Sequence, residues 1–366
     1  MNSIASATRS QRNYGIDFLR MLSMFMIVIL HVLLKGGVLN ASPELSVNYF
    51  AGWFLEYLTV CAVNCYALIS GCFGSKSKYR YANIAVLWLR VAIYSVLITV
   101  IFMIAMPETR SITQLLRSFL PVFTNEYWYF TSYFLLFFIT PVIDIAVKNL
   151  PQKQLKYTAV VLTAVTSVIP LILRQDPFSL NKGYSALWLL VLYIVGAYIG
   201  KYNAFRKATK TKAFLGYLGF CIINWLIKFI IETVPINRIS SSILMAYPFP
   251  TIVGAAICLL LLFRQISVTN RMSKVIAVAS PLWFSVYLIH THPLIFDNIL
   301  KDRFVSYASM STPLMILAVL GTALAIYIVC SLIDFIREFI FKKLRIKQRL
   351  LNFEEKHINV WNENEQ

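Results

Sequence analysis

The sequence predicts an all-α fold, a polytopic transmembrane helix bundle with about ten spans. Hydrophobic residues make up 58% of the 366 residues and charged residues only 14%, and the mean hydropathy is +0.68. A soluble domain cannot bury that much apolar surface, whereas a run of about 20 apolar residues can cross a bilayer. Such runs cover approximately 16–34, 50–72, 82–106, 127–146, 155–173, 183–200, 213–231, 244–263, 280–297 and 312–334.

The basic residues that give the net charge of +18 lie mostly in the loops of this bundle. With the N-terminus placed in the cytoplasm, most Lys and Arg residues fall in loops on the cytoplasmic side, and basic loops set orientation in that way. We therefore expect both termini to be cytoplasmic. The basic loops indicate contact with anionic membrane lipids, so we expect no nucleic-acid partner.

Three regions follow from these boundaries: a cytoplasmic tail over 1–15, a transmembrane domain over 16–335, and a basic then acidic cytoplasmic tail over 336–366. We expect the polar chain beyond about Phe353 to be disordered. Within the outer connection 107–126, apolar residues recur at helical spacing, which predicts a helix lying along the membrane interface.

The first span carries Asp17, Arg20 and His31 inside an otherwise apolar run. At 3.6 residues per turn, Arg20 lies within about 20° and Asp17 within about 40° of His31, and about 16 Å separate Arg20 from His31 along the axis. Ionisable groups at membrane depth usually mark function. Arg20 could bind an anionic group and His31 could act as a base on a hydroxyl. The alternative is an interfacial Asp17–Arg20 pair and a His31 that only bonds across helices.

The second span ends in VNCYALISGCFG (63–74) and is followed by the basic segment SKSKYR (75–80). Ser70 and Gly71 allow close backbone approach. The basic side chains Lys76, Lys78 and Arg80 offer cations to a cytosolic phosphate, although Lys76 and Lys78 fit a topological role better.

In the third span, Arg90 is buried enough to need a partner. Glu56 in span two and Asp144 in span four are candidates, and the sequence does not choose between them.

The fourth span begins with NEYWYFTSYF (125–134). Trp128 and Tyr129 stand where an aromatic belt is expected at the membrane surface, and we favour that interpretation. The alternative is an aromatic platform for a sugar acceptor, beside which Glu126 could orient a hydroxyl.

The ninth span contains His290-Thr291-His292-Pro293. Histidines at i and i+2 point to different faces of a helix, so we expect no shared metal, and His290 is the better site candidate. Because Pro293 disfavours the α conformation at His292, the helix should break here, and irregular backbone at membrane depth usually lines a cavity. Asp297 could orient a histidine or mark the outer end of the span, and we favour the second.

These residues resemble a known family. Asp17-Phe18-Leu19-Arg20 followed by His31 is similar to the opening of the acyltransferase 3 family of integral membrane acyltransferases, which has an arginine, ten intervening residues and a histidine in its first span. The similarity extends from about residue 13 to about residue 335. The other matching segments are LISGCF (68–73), Arg90, WYF (128–130) and SVYLIH (285–290).

The resemblance implies transfer of an acyl group, often acetyl, from cytosolic acyl-coenzyme A to a hydroxyl of a surface glycan, cell-wall polymer or lipid-linked sugar. It implies His31 as the catalytic residue, as general base or as acyl carrier, and we favour the general base. The assigned residues are, for donor binding, Arg20, Arg90, Ser70 and Gly71, and, for the acceptor or in support, Asp17, Glu126, Trp128, Tyr129 and His290.

We expect a bacterial plasma-membrane enzyme with no metal and no permanently bound cofactor; whether it forms a homo-oligomer stays open. The sequence departs from the family pattern at Cys72-Phe73, and it shows no C-terminal hydrolase-like domain, so transfer should finish at the membrane site or on a separate protein. The competing hypothesis is a transporter or flippase for a glycan intermediate or small amino acid, which ten spans and a broken helix also suit.

Overall fold

The computed structural model describes residues 12–74, 79–234 and 241–358, and the regular structure in these ranges is helical. The α-helices are α1 Tyr14–Leu33, α2 Val38–Ala41, α3 Val47–Thr59, α4 Ala62–Gly74, α5 Tyr81–Ala105, α6 Ile112–Ser118, α7 Trp128–Asn149, α8 Gln152–Leu173, α9 Ala186–Tyr202, α10 Lys210–Thr233, α11 Pro250–Arg264, α12 Asn270–Ala279, α13 Trp283–His290, α14 Pro293–Ile295, α15 Thr312–Lys343 and α16 Ile346–His357.

The predicted spans are confirmed, except that the ninth runs over Asn270–His290 instead of 280–297. Within the described ranges, nine helical segments are long and apolar enough to cross a membrane, and α9 is a shorter apolar helix. Its 17 residues extend about 25 Å, a little less than a typical hydrocarbon core. The protein is therefore a multi-pass membrane protein.

Short polar side chains begin many of these helices. Asn13 accepts a hydrogen bond from the backbone N–H of Ile16 at the start of α1, and Ser46 does the same for Tyr49 at the start of α3. Such caps satisfy N–H groups that have no partner inside the helix, which matters most where the surroundings are apolar. They help to fix where these helices begin.

The centre of the bundle is formed by α1, α4 and α9, most of whose residues are buried, whereas α8, α10 and α15 leave most of their apolar residues exposed on the outside. Exposed apolar side chains on a transmembrane helix suit contact with lipid. α1 contacts α3, α4, α11, α13 and α15, so residues on its surface face the interior of the protein.

α4 and α9 pack backbone to backbone. A methyl group at Gly71 would overlap the carbonyl oxygen of Tyr193, and one at Gly196 would overlap that of Leu68. Glycine permits this close approach, which is typical of membrane helix pairs. The role of Gly71 seen here is packing.

The connection 107–126 contains α6, as predicted. Ile112 and Leu116 on α6 are strongly exposed, which suits a helix at the membrane interface. Ser111 accepts a hydrogen bond from the N–H of Gln114 and so caps α6.

The C-terminal segment differs from the expectation of disorder beyond Phe353, because α16 continues to His357. The buried Glu354 explains the difference: its two carboxylate oxygens accept hydrogen bonds from the N–H groups of Tyr81 and Ala82, at 3.0 and 2.9 Å. A carboxylate is favourable at a helix N-terminus, and this contact docks α16 on the start of α5.

Candidate active site

Arg20 is held in place by Asp17, one turn earlier on α1. The Oδ1 atom of Asp17 lies 2.7 Å from Arg20 Nη1, and its Oδ2 atom lies 2.5 Å from Arg12 Nε. Arg12 also donates to the hydroxyl of Ser280 at 2.7 Å. Asp17 therefore orients the guanidinium of Arg20 by a charge-assisted bond.

Arg20 lines a cavity of about 340 Å³. Arg80 lines the same cavity; it forms an ion pair with Glu355 at 3.3 Å, and its Nη1 atom has no hydrogen-bond partner in the described part of the chain. Two guanidinium groups facing one cavity suit an anionic ligand such as a phosphate. The other polar lining residues are Ser70, Tyr79, Asn83, Tyr133, Thr140, Asp144 and Tyr193.

Two further cavities connect this one to His31. A middle cavity of about 140 Å³ shares Arg20, Ser70, Leu87 and Tyr133 with the first. A third cavity of about 40 Å³ contains His31 and shares Tyr66, Tyr129, Trp283 and Phe284 with the middle one. The predicted alignment of Arg20 and His31 along α1 thus corresponds to one sequence of adjoining cavities with Arg20 at one end and His31 at the other.

The walls between the two ends are aromatic. Tyr66 stacks on Trp283 with ring centroids 4.4 Å apart, and the Tyr66 hydroxyl donates to the backbone carbonyl of Arg20 at 2.7 Å. The hydroxyl of Tyr129, on the same wall, is buried with no hydrogen-bond partner among the described residues. Aromatic walls of this kind suit an apolar chain, and the Tyr129 hydroxyl could donate a hydrogen bond to a polar group on such a chain.

His31 and His290 meet across the bundle. His31 Nδ1 lies 2.9 Å from His290 Nε2, and His290 is buried. His290 thus contacts His31, whereas His292 contacts Glu126; a role of His290 in the reaction stays a prediction.

The hydrogen-bond network assigns the tautomers of this pair. His290 Nδ1 lies 2.5 Å from the carbonyl oxygen of Val286. A carbonyl only accepts, so His290 Nδ1 carries the proton and its Nε2 is an acceptor. His31 must then donate from Nδ1, which leaves its Nε2 with a free lone pair, the arrangement that a base or nucleophile requires.

The ninth span is broken, as predicted: α13 ends at His290, and α14 begins only at Pro293. A carboxylate holds the break. Glu126 Oε1 lies 3.2 Å from His292 Nε2 and accepts from the hydroxyl of Ser95 at 2.8 Å, while His292 Nδ1 accepts from the N–H of Leu294. Glu126 lies at this break and lines none of the three cavities, so the structure gives no support to a role in orienting a hydroxyl.

The chain that follows the break covers one side of the His31 ring. Phe296 contacts the His31 ring edge-on, with centroids 5.0 Å apart. Lys35 lies over the Phe296 ring and pairs with Asp297 at 2.6 Å. Through Lys35, Asp297 ties the segment that follows the break to the end of α1.

Arg90 does not join the cavities. Neither candidate partner was right: Arg90 donates to the backbone carbonyl of Pro281 at 3.0 Å and lies 3.7 Å from Glu338. Asp144 instead accepts from the hydroxyl of Tyr193, and Glu56 is buried with no hydrogen-bond partner in the described ranges. Arg90 lines none of the three cavities, and the contacts seen here join α5 to Pro281 and α15.

Ser70 and Gly71 face different parts of the structure. Ser70 lines the first and middle cavities and donates its hydroxyl proton to the carbonyl of Tyr66, whereas Gly71 faces α9. Lys76 and Lys78 lie outside the described residues.

Trp128 and Tyr129 do not form an interfacial belt, which corrects the favoured interpretation. Both line the His31 cavity, and Trp128 packs on Tyr184 and Tyr247 with centroids 4.3 and 6.0 Å apart. Entry segments of spans have the same composition whether they face lipid or a cavity, so the sequence favoured the commoner case.

The sequence analysis missed Tyr66, Tyr133 and Trp283 as cavity residues. They lie in apolar helices whose surroundings resemble packed core, and nothing in their spacing separates the two cases. Their proximity to Arg20 and His31 arises from contacts between spans, which sequence periodicity does not report.

Comparison with known proteins matches the chain to one protein family. A family model described as an acyltransferase domain, of the acyltransferase 3 type, matches residues 13–333. No curated protein and no solved structure matches the chain. The match includes α1, with Asp17, Arg20 and His31, and continues into α15.

Proposed function

The chain belongs to the acyltransferase 3 family and is a membrane acyltransferase, and from that premise we propose that it moves an acyl group from acyl-coenzyme A to a hydroxyl. Acetyl-coenzyme A is the proposed donor. A surface glycan, cell-wall polymer or lipid-linked sugar is the proposed acceptor. The observation that carries the proposal is the set of adjoining cavities that begins at Arg20 and ends at His31.

Donor binding is assigned to the wider cavity. Arg20 and Arg80 would hold the phosphates of coenzyme A, because guanidinium groups bind phosphate oxygens by paired hydrogen bonds. The flexible arm of the donor would then lie along Tyr66 and Trp283 and bring the thioester to His31. The spacing of about 16 Å between Arg20 and His31 requires a donor with such an arm.

Catalysis is assigned to His31 as general base. Nε2 of His31 takes the proton of the acceptor hydroxyl while that oxygen attacks the thioester carbonyl. The tetrahedral intermediate collapses, the C–S bond breaks, and the sulfur leaves with the proton that His31 returns. His290 accepts a hydrogen bond from His31 Nδ1 throughout, and this bond strengthens when His31 becomes cationic.

The proposal also fixes an orientation. The Arg20 end would face the cytosol, where acyl-coenzyme A is found, and the His31 end would face outwards, in a bacterial plasma membrane. The acceptor would reach His31 past Phe296 and the Lys35–Asp297 pair. No permanently bound cofactor is needed for this chemistry.

The test uses radiolabelled acetyl-coenzyme A with membranes that contain the protein and its host glycans. Loss of a general base typically slows transfer by about 10²–10⁴-fold, so His31→Ala should lose glycan labelling while still inserting in the membrane. His357→Ala is the matched control, because His357 is exposed in α16. Unchanged labelling with His31→Ala would remove the proposed base.

Two other outcomes would revise the proposal. Label that stays on the denatured protein in the absence of acceptor would replace the general base by an acyl-histidine intermediate. Movement of a glycan across the membrane with no label transferred would favour a transport activity.

A further inference from the structure

A separate cavity of about 220 Å³ lies between the end of α8 and the chain that leads into α11. None of its lining residues lines the three cavities between Arg20 and His31. α8 leaves the bundle at the same end as the His31 end of α1, because the spans alternate in direction. The cavity therefore lies on the side assigned to the acceptor.

The cavity is apolar inside and charged at its rim. Its inner wall consists of the side chains of Pro170, Leu171, Leu180, Ile243, Ala246, Pro248 and Phe249. Ser167, which also lines it, is 4% exposed, and its hydroxyl has no hydrogen-bond partner among the described residues. A buried hydroxyl without a partner is costly, so this wall has a polar group available to a ligand.

The rim carries Arg174 and Lys182 with Asp176. Asp176 is occupied by the loop itself: Oδ1 accepts from the N–H of Leu180 at 2.8 Å and Oδ2 from that of Asn181 at 2.6 Å. Lys182 has no ion pair in the part of the chain that the structure describes. The rim therefore attracts an anion more strongly than a cation.

The loop that bears Lys182 also touches the His31 cavity. The backbone N–H of Tyr247 donates to the carbonyl of Lys182 at 3.0 Å. Tyr247 lines the His31 cavity, while its neighbours Ala246 and Pro248 line the separate one. The two cavities thus lie back to back across one short segment of chain.

We propose that this cavity binds the phosphate-bearing end of an amphiphile, with the phosphate between Arg174 and Lys182 and the apolar part against the inner wall. Resting on the proposed function, we assign the occupant as the acceptor, a sugar carried on a lipid phosphate or diphosphate. Its sugar would be held next to the cavity of His31. Of the three acceptor classes, this one alone brings an apolar chain and a phosphate together.

The first experiment measures binding without catalysis. Purified full-length protein in uncharged detergent is titrated with dodecyl phosphate and, separately, with inorganic pyrophosphate. One charge-assisted hydrogen bond is worth about 1.5–3 kcal/mol, so Lys182→Gln and Arg174→Gln should each weaken dodecyl phosphate binding by about tenfold or more. Pyrophosphate should bind more weakly, because it cannot contact the apolar wall.

Matched controls are Lys301→Gln and Arg117→Gln, two exposed cations in connections at the same end of the bundle. These variants should bind dodecyl phosphate as the wild type does. Ser167→Leu, which fills the inner wall, should abolish binding without removing a charge. Absence of saturable binding, or equal weakening by the control variants, would overturn the site.

A second arm identifies the occupant. If it is the acceptor, Lys182→Gln raises the KM for a lipid-linked acceptor and leaves the KM for acyl-coenzyme A unchanged. If the variant instead only loses co-purifying phospholipid, measured by mass spectrometry, and acceptor KM is unchanged, the phosphate site stands and its assignment to the acceptor is wrong. A protein that binds dodecyl phosphate but transfers no acyl group would refute the proposed function and leave the site intact.

Discussion

The contact between His31 and His290 gives a quantitative prediction. His290→Leu removes the acceptor of the His31 Nδ1–H bond, which is 2.9 Å long, in a place where His290 is only 1% exposed. A buried donor that loses its partner costs about 1–3 kcal/mol. Because the bond becomes charge-assisted as His31 takes a proton, the cost falls mainly on the transition state, and kcat should fall about 10–100-fold.

The assay separates positioning from folding. Initial rates of acyl transfer at saturating donor give kcat, and a donor titration gives KM, which should change little. His290→Gln is the informative companion, since the side-chain oxygen of glutamine can accept the same hydrogen bond. We expect His290→Gln to recover most of the rate that His290→Leu loses, with both variants inserting in the membrane at wild-type levels.

Two results would refute this reasoning. A kcat for His290→Leu within twofold of the wild type would show that the hydrogen bond does not orient His31 in the reaction. Equal loss in His290→Gln and His290→Leu, with both proteins folded, would show that imidazole chemistry at position 290, and not a hydrogen-bond acceptor, is what the reaction needs.

Further predictions concern the residues around this pair. Asp17→Asn weakens the ion pair that orients Arg20 and should raise the donor KM about tenfold, with kcat nearly unchanged; a changed kcat alone would contradict this. Gly71→Ala places a methyl group against the backbone of Tyr193, closer than the 3.0 Å that real Cβ contacts keep. It should lower the free energy of unfolding by about 1–3 kcal/mol, which a lower thermal unfolding midpoint in detergent would show. Glu126→Leu removes the carboxylate that holds the break in span nine. It should lower kcat, because His290 beside the break would shift relative to His31, while donor binding, measured by titration, stays the same.

Much of the fold could be predicted because hydropathy reports it directly. The ten apolar runs correspond to the observed spans, since a segment of that length has few alternatives to crossing the bilayer. The break after His290 was also predictable, because Pro293 acts on the residue before it. Both inferences use only information local to the chain.

The alignment of Arg20 and His31 was predictable for the same reason: both lie on one helix, and helical geometry fixes their relation. The partners of Arg90 were not predictable, since Glu338 lies far away in sequence and the choice depends on how spans pack. The prediction for Trp128 was wrong for another reason. An aromatic residue at the entry of a span has the same sequence signature whether it faces lipid or lines a cavity.

The placement of Arg20 and His31 on a single helix has a mechanical consequence. α1 has no proline within it, so the distance between the two side chains is set by a rigid element and should not change during turnover. His290, by contrast, belongs to the broken ninth span, where backbone hydrogen bonding is interrupted. Under the proposed function, an acceptor that enters past Phe296 would have to move α14 and Phe296 relative to α1 and separate the Lys35–Asp297 pair, while the donor site keeps its distance from His31. Exposed ion pairs are weak, so the Lys35–Asp297 pair can separate at little cost when an acceptor enters.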